Sequence, residues 1–198
     1  EVIVNGLPEG GHHTRTVLFA PDWSTLFVSV GSSCNVCDEK DPRRAAIVRY
    51  NPDGSEEKVY ASGLRNAVGI TFRPESDELW ATNNGRDMLG DDLPPETVNR
   101  VGQGDDFGWP RCHAGRIVDP EFGGDQGCQG VTAPAVEMQA HSAPLGLAFY
   151  TGGLGGGLYL VSLLFDNLIG MFIGWFIVSV IKGGLHFMFL GKPARFWR

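Results

Sequence analysis

The chain has 198 residues, with 16 Lys and Arg against 23 Asp and Glu, which gives a net charge of −7. Residues 151–198 alone carry +3, which leaves −10 for residues 1–150. An acidic domain without a basic stripe excludes nucleic acid as a partner. The 28 Gly and 12 Pro are typical of many short strands joined by turns, so we predict an all-β fold for this acidic part.

The first residues, Glu1-Val-Ile-Val-Asn5, have the pattern of the end of a strand. The chain has neither a start methionine nor a signal-peptide pattern. We therefore expect it to be an internal piece of a longer protein.

Three stretches share one layout, a polar cluster followed by a strand-like run that includes Phe: residues 11–21, 61–74 and 141–151. Phe19 and Phe72 are 53 residues apart, and both are followed by a turn with Pro and an acidic residue and then by a second apolar run. Short strands repeating at roughly 40 to 50 residues indicate the blades of a β-propeller.

In a propeller, the first strand of each blade faces the central axis. Polar residues at one end of these strands therefore converge on that axis. The repeat predicts that one pocket is lined by the polar residues of the three stretches, His12, His13, Arg65, Asn66 and His141.

The pair Cys34-Asn-Val-Cys37 is followed by Asp38, which excludes a c-type haem site because that site requires His after the second Cys. A zinc site needs further ligands, and Cys112, His113 and Cys128 offer them.

A loop at residues 83–95 is rich in Asn and Asp. It has the oxygen atoms that calcium prefers, and it equally fits an Asx-rich turn that caps a blade.

Several blocks, in the right order, resemble the soluble glucose and sorbosone dehydrogenases, which depend on pyrroloquinoline quinone (PQQ). The resemblance covers most of residues 1–150 and lies in Gly11-His-His-Thr-Arg15, Val30-Gly-Ser-Ser-Cys-Asn35, Ala61–Gly69, Gly85–Pro95, Phe107-Gly-Trp-Pro110 and Ala143–Tyr150. It implies a six-bladed propeller that oxidises sugars with PQQ held by calcium. Residues 1–151 are thus predicted to be a partial propeller with about three blade starts, since six blades need roughly twice this length.

The same resemblance implies roles for individual residues. His12 corresponds to the catalytic base, with His13 the less favoured neighbour, and a His suits this task because its pKa lies near neutrality. Arg65 and Asn66 correspond to the pair that contacts the quinone, and Arg65 also stabilises the negative charge that develops there. His141 is placed with the cofactor or at the substrate end of the pocket. The calcium ligands correspond to three consecutive backbone carbonyls, those of Asn84, Gly85 and Arg86.

Members of this family are usually exported, and an even number of cysteines then favours disulfides. We predict the pairs Cys34–Cys37 and Cys112–Cys128, with zinc or free thiols as the alternatives.

Residues 152–198 differ from the rest because they are mostly apolar. Residues 158–181 are long enough to span a membrane as one helix, and the basic residues that follow place the C-terminus in the cytoplasm. The segment also resembles the start of the polysulfide-reductase-type quinol anchors, in which the chain near Asp166 would turn to form a helical hairpin. That resemblance rests on Gly155-Gly-Gly-Leu-Tyr-Leu-Val-Ser162, Lys182-Gly-Gly-Leu-His-Phe187 and Leu190–Arg198. Ionisable residues in such a segment are often functional, which singles out Asp166, Lys182 and His186.

The leading hypothesis is a PQQ-dependent dehydrogenase of a small sugar or aldose, attached to the periplasmic or extracytoplasmic face of the membrane. One alternative is a non-catalytic extracytoplasmic subunit of a membrane redox complex. The other is an anchor that interacts with quinol through the apolar tail.

Overall fold

The computed structural model describes residues 2–13 and 15–149, together with the helical positions Ile173 and Phe176. The described residues up to 149 form strands and no helix, which confirms the all-β prediction for the acidic part of the chain. The strands are β1 (Val17–Phe19), β2 (Leu26–Val30), β3 (Ala46–Tyr50), β4 (Lys58–Ala61), β5 (Ile70–Phe72), β6 (Leu79–Asn83), β7 (Glu96–Val101), β8 (Cys112–His113), β9 (Ile117–Val118) and β10 (Val136–Met138).

The first four strands form one antiparallel sheet in the order β1-β2-β3-β4. Strand β2 is buried along its whole length because both of its faces are covered. Since side chains alternate across a strand, Phe27 lies on one face and Leu26 and Val28 lie on the other. This sheet has the sequential antiparallel order of a propeller blade.

The second sheet has the order β10-β7-β6-β5, and the short β8–β9 hairpin is inserted between β7 and β10. The β5–β6 hairpin of this second sheet has the same pair of hydrogen bonds as the β1–β2 hairpin of the first sheet, 53 residues further along the chain. The amide of Ser29 donates to the Thr16 carbonyl over 2.9 Å, and the amide of Thr82 donates to the Gly69 carbonyl over 2.8 Å. In return, the hydroxyls of Ser29 and Thr82 accept from the amides of Thr16 and Gly69. The sequence repeat is therefore a structural repeat.

A shared hydrophobic core joins the two sheets. Phe27 of β2 contacts Tyr60 and Phe72 edge to face, with ring centroids 5.0 and 5.7 Å apart. The fully buried residues Ile47 and Leu79 belong to the same core. Burying such side chains stabilises the fold by about 2 kcal/mol each, so the two blades stabilise one another.

The third repeated stretch, residues 141–149, contains no strand. It nevertheless lies beside the start of the second blade, because the Thr82 hydroxyl donates to the Pro144 carbonyl over 3.3 Å. The first blade contacts the second in the same way, with the Thr16 hydroxyl donating to the Val68 carbonyl. The described residues thus contain two four-stranded blades and a third segment placed where a blade start was predicted.

The chain divides into two compact units, Glu1–Ala148 and Phe149–Arg198. Within the described residues, no helix has the length and apolar character needed to cross a membrane. The predicted span or hairpin at residues 158–181, with Asp166, Lys182 and His186, lies outside the described residues, and the domain boundary at residue 151 remains a prediction.

Candidate active site

Gly31, at the end of β2, separates two of the residues that the repeat singled out. A Cβ atom built on Gly31 would lie 2.6 Å from the Cβ of His12 and 2.7 Å from the Oδ1 of Asn66. His12 and Asn66 therefore flank the same point, and only glycine leaves room between them. The Asn66 side chain makes no hydrogen bond with the residues that the structure describes, so its amide is available to a ligand.

His12 is half-buried, and its ring is held from one side. Its Nδ1 lies 3.0 Å from the Ser32 carbonyl and 3.1 Å from the Ser32 hydroxyl, which itself donates to the Cys34 carbonyl. A carbonyl only accepts, so Nδ1 carries the proton and Nε2 is the acceptor in the neutral ring. Burial lowers the pKa of His12 below its ordinary value. The hydrogen bond to the Ser32 carbonyl raises this pKa, and the charge of Arg65 lowers it, so the overall shift is downward. His12 is accordingly neutral at pH 7 and able to accept a proton.

Arg65 is 6% exposed, and all parts of its guanidinium contact oxygen atoms. Its Nε donates to the carbonyl of Asn35, and its Nη2 donates to Asn35 Oδ1 and Asp87 Oδ2. Its Nη1 lies 2.6 Å from the Gly85 carbonyl and 3.5 Å from the Asn84 carbonyl. Arg65 is thus a fixed positive charge beside His12, and its N–H groups are engaged by the protein itself.

Asp87 connects Arg65 to His141. One carboxylate oxygen accepts from Arg65 at 3.1 Å, and the other lies 3.9 Å from His141 Nδ1. His141 also contacts the Gly90 carbonyl through Nε2 at 2.8 Å. The exposed ring of His141 is therefore held by the 87–90 loop.

Glu96 is buried and contacts the segment that precedes the 87–90 loop. Its Oε2 accepts a hydrogen bond from the amide of Gly85 at 2.5 Å. Burial raises the pKa of Glu96, while the amides of Gly85 and Ala143 and the charge of Arg65 act in the opposite direction. Glu96 thus fixes the backbone on which the predicted calcium ligands lie.

The three carbonyl groups predicted to hold calcium have different surroundings. Those of Gly85 and Asn84 face Arg65, so a guanidinium already provides a positive charge there. The side-chain Oδ1 of Asn84, however, is buried and has no hydrogen-bond partner among the described residues. A buried acceptor of this kind suits a hard cation, which makes Asn84 the member of the set that fits calcium best.

A second buried network contacts Arg86, and no sequence pattern indicated it. Asp119 Oδ2 accepts from Arg86 Nη1 at 2.6 Å and from His113 Nε2 at 2.8 Å. Burial alone would raise the pKa of Asp119, but its hydrogen bonds from His113, Arg86 and the amides of Phe122 and Glu121 lower it to about 2. The side chain of Arg86 is therefore a structural anchor that ties the site loop to the β8–β9 hairpin.

The cysteines form the two predicted pairs, Cys34–Cys37 and Cys112–Cys128, which confirms the disulfide prediction. The zinc alternative is wrong, because all four cysteine sulfurs form disulfides and His113 is hydrogen-bonded to Asp119. Within the described residues, one cluster has potential metal ligands, that of Cys34, Cys37 and Glu39, and both of its sulfurs belong to a disulfide.

The structure thus brings His12, Arg65 and Asn66 together at the ends of neighbouring blade starts. His141 joins them only through Asp87. His13 is exposed and lies in a separate hollow with Pro8 and Arg15, away from this cluster. Sequence reasoning missed the residues that hold the cluster in place, and the repeat could not have revealed them because they lie outside its aligned positions: Asn35, Glu96 and Asp119.

The fold and the site define a propeller-type protein with a proton acceptor and a fixed positive charge at its blade starts. The chain matches the family model for glucose and sorbosone dehydrogenases over residues 1–169 and belongs to that family. The match extends past residue 150 into the segment that resembled a quinol anchor, and no comparison gives evidence for a polysulfide-reductase-type anchor.

Three relatives illustrate the match. An uncharacterized protein of Borreliella burgdorferi is 35% identical over 71% of this chain and 38% of its own length. A pyrroloquinoline quinone-dependent sugar dehydrogenase of Hypocrea jecorina is 30% identical over 76% of this chain and 46% of its own length. The calcium structure of a Trichoderma reesei carbohydrate-active enzyme of family AA12 is 25% identical, with a TM-score of 0.66 over 76% of this chain and 49% of that structure. The chain therefore spans less than half the length of these relatives.

Proposed function

We propose that this chain carries the base and the cofactor-contacting side chains of a PQQ-dependent dehydrogenase of a small sugar or aldose. The observation that carries the proposal is the pairing of His12 with Asn66 across Gly31, beside the buried charge of Arg65. The name of the Hypocrea jecorina relative supports the cofactor and the substrate class.

His12 would act as the general base. Its Nδ1–H is fixed by Ser32, so the lone pair of Nε2 is the atom that accepts the proton of a sugar hydroxyl. PQQ, when bound, supplies the two-electron acceptor for the carbon that bears this hydroxyl. The lowered pKa of His12 keeps the base unprotonated at neutral pH.

Asn66 would hold the cofactor, and Arg65 would polarise it through its charge. The free amide of Asn66 has both a donor and an acceptor for quinone or carboxylate oxygens. Arg65 contributes a preorganised positive charge, which favours any negative charge that develops near it and requires no rearrangement. His141 would border the same pocket through Asp87.

Calcium would be held at the 84–86 loop. Asn84 contributes a buried side-chain oxygen that lacks a partner in the described part of the chain, and the Arg86 carbonyl lies next to it in sequence. The backbone carbonyls of Asn84 and Gly85 already accept from Arg65. Oxygen ligands of this type are those that calcium selects. The two disulfides also favour a location outside the cytoplasm.

The test uses the purified full chain with PQQ and calcium, a panel of aldoses and an artificial electron-accepting dye. We expect His12→Gln to reduce turnover by at least about a hundredfold, the usual contribution of a general base, while PQQ binding stays within about threefold. His13→Gln is the matched control, because His13 is exposed and lies outside the cluster. Equal turnover in the His12 and His13 variants would refute the assignment of the base. Absence of PQQ binding by the unsubstituted chain would refute the proposed function.

A further inference from the structure

Asn35 lies between the two cysteines of the Cys34–Cys37 disulfide and makes five hydrogen bonds to residues far away in sequence. Its carbonyl accepts from Arg65 Nε at 2.9 Å and from Trp109 Nε1 at 3.2 Å. Its Oδ1 accepts from Arg65 Nη2 at 3.0 Å and from the Asp87 amide at 2.8 Å. Its Nδ2 donates to the Asp87 carbonyl at 3.1 Å. One side chain in a disulfide loop therefore holds both partners of the Arg65–Asp87 ion pair.

The surrounding loop has little other regular structure. Residues 31–45 connect β2 to β3 and contain no strand, so no sheet ladder fixes the position of Asn35. The covalent constraint is the disulfide, which closes a ring of four residues around Asn35 and Val36, and hydrogen bonds from Ser33 to Glu39 support the same loop. Opening such a ring increases the number of backbone conformations available to the residues inside it.

Both cysteines are only half-buried, and Ser33 beside them is exposed. A small dithiol can therefore reach this bridge. In the second bridge, Cys112 is buried in the β8–β9 hairpin and Cys128 is half-buried. The bridge nearer to solvent is thus the one whose loop contacts the candidate active site.

We propose that Asn35 is a positioning residue for Arg65 and Asp87, and that the Cys34–Cys37 disulfide is a redox control on this positioning. With the bridge intact, Asn35 fixes the position of the Arg65 guanidinium relative to Asp87 in the 87–90 loop. With the bridge reduced, the loop relaxes, and Arg65 and Asp87 lose a shared partner. The consequence for PQQ binding rests on the proposed function, whereas the loosening of Asp87 does not.

The redox step is an exchange with a dithiol reductant. One thiolate of the reductant attacks a sulfur of the bridge, the Cys34–Cys37 bond breaks, and the released cysteine thiolate takes up a proton. The second thiol of the reductant, as its thiolate, then displaces the remaining cysteine, which is protonated in turn. The protein gains two electrons and two protons as two thiols, and the reductant leaves as a disulfide.

The first readout is hydrogen exchange of the Asp87 amide, measured on the purified full chain without PQQ. This amide donates directly to Asn35, so its protection reports the contact itself. We expect exchange to be about tenfold faster in Asn35→Ala and in the double variant Cys34→Ser/Cys37→Ser, as befits the loss of one or two hydrogen bonds. Asn35→Asp keeps the acceptor oxygen for the Asp87 amide but loses the donor to the Asp87 carbonyl, so its exchange rate is expected to lie between those of the unsubstituted chain and Asn35→Ala.

The matched control is Asn51→Ala, which removes an exposed asparagine in the turn after β3. It should leave exchange at Asp87 unchanged. Treatment with a dithiol should accelerate this exchange in the unsubstituted chain and have no further effect in Cys34→Ser/Cys37→Ser, which separates the first bridge from Cys112–Cys128. Unchanged exchange in Asn35→Ala, or an equal response to the dithiol in the two proteins, would overturn the proposal.

The second readout is the dissociation constant of PQQ before and after reduction, which we expect to rise about tenfold. An altered exchange rate without any binding of PQQ, before or after reduction, would support the role of Asn35 and refute the proposed function. A changed dissociation constant without altered exchange at Asp87 would overturn the role of Asn35, because the effect would then follow another route.

Discussion

Replacement of Asp119 by Asn is expected to destabilise the protein strongly. The carboxylate is 0% exposed, and each of its oxygens accepts two hydrogen bonds. Oδ2 accepts from Arg86 and His113, and Oδ1 accepts from the amides of Glu121 and Phe122. An asparagine must place its NH2 group against one of these pairs of donors. It also leaves the buried charge of Arg86 without its closest partner.

Breaking a buried ion pair from one side costs about 3 to 5 kcal/mol, so we expect a loss of about 4 kcal/mol in the free energy of unfolding. The matched control is Glu121→Gln, because Glu121 contacts the same arginine at 3.1 Å but its side chain is 61% exposed. An exposed pair contributes about 1 kcal/mol or less. Urea unfolding at pH 7, followed by tryptophan fluorescence, measures both values.

The difference should also depend on pH. The pKa of Asp119 is lowered in the folded protein to about 2, so its contribution is fully present above the unfolded value of 3.8 and is lost as the pH falls through about 2. The lowered pKa corresponds to about 2 kcal/mol in the free energy of unfolding. The difference in this free energy between the unsubstituted protein and Asp119→Asn should therefore become smaller by that amount between pH 5 and pH 2. Equal stabilities of Asp119→Asn and Glu121→Gln at pH 7 would refute the reasoning.

Three further predictions follow from the site and the bridges. Gly31→Ala should weaken PQQ binding at least about tenfold, because the new Cβ would collide with His12. Gly146→Ala is the control, since no described atom lies within 4 Å of its Cβ, and it should leave binding unchanged. Fluorescence titration with PQQ measures both, and equal binding by the two variants would contradict the expectation. The acid limb of the pH–rate profile should have its midpoint below 6.5, because burial lowers the pKa of His12 and protonation as the pH falls removes the base; a midpoint above 6.5 would contradict this. Cys112→Ser/Cys128→Ser should lose about 3 kcal/mol in urea unfolding, since the bridge closes a loop with a sequence separation of 16; a loss under about 1 kcal/mol would argue against it.

The repeat allowed much of the fold and part of the site to be predicted. Strand patterns are local, so residues 53 apart in equivalent blades occupy equivalent places, and Thr16 and Gly69 show the same hydrogen bonds. The polar residues that precede each strand therefore gather, as predicted for His12 and Asn66. His141 is linked less directly because its stretch forms no strand, and its position depends on the 87–90 loop.

The sequence by itself determined the all-β class, the repeat and which polar residues precede each blade, while the pairing of the cysteines was favoured only through the family resemblance and was confirmed by the structure. Tertiary structure alone decided the partners of those residues. Asn35 contacts Arg65 across 30 residues, and Asp119 contacts Arg86 across 33. These contacts involve loops, whose conformations follow no period and are fixed only when the blades pack. Alternation along a strand indicates which side chains face the core. The partners of a loop carboxylate such as Asp119 are decided only when the fold buries it beside them, because a buried charge requires hydrogen-bonded partners.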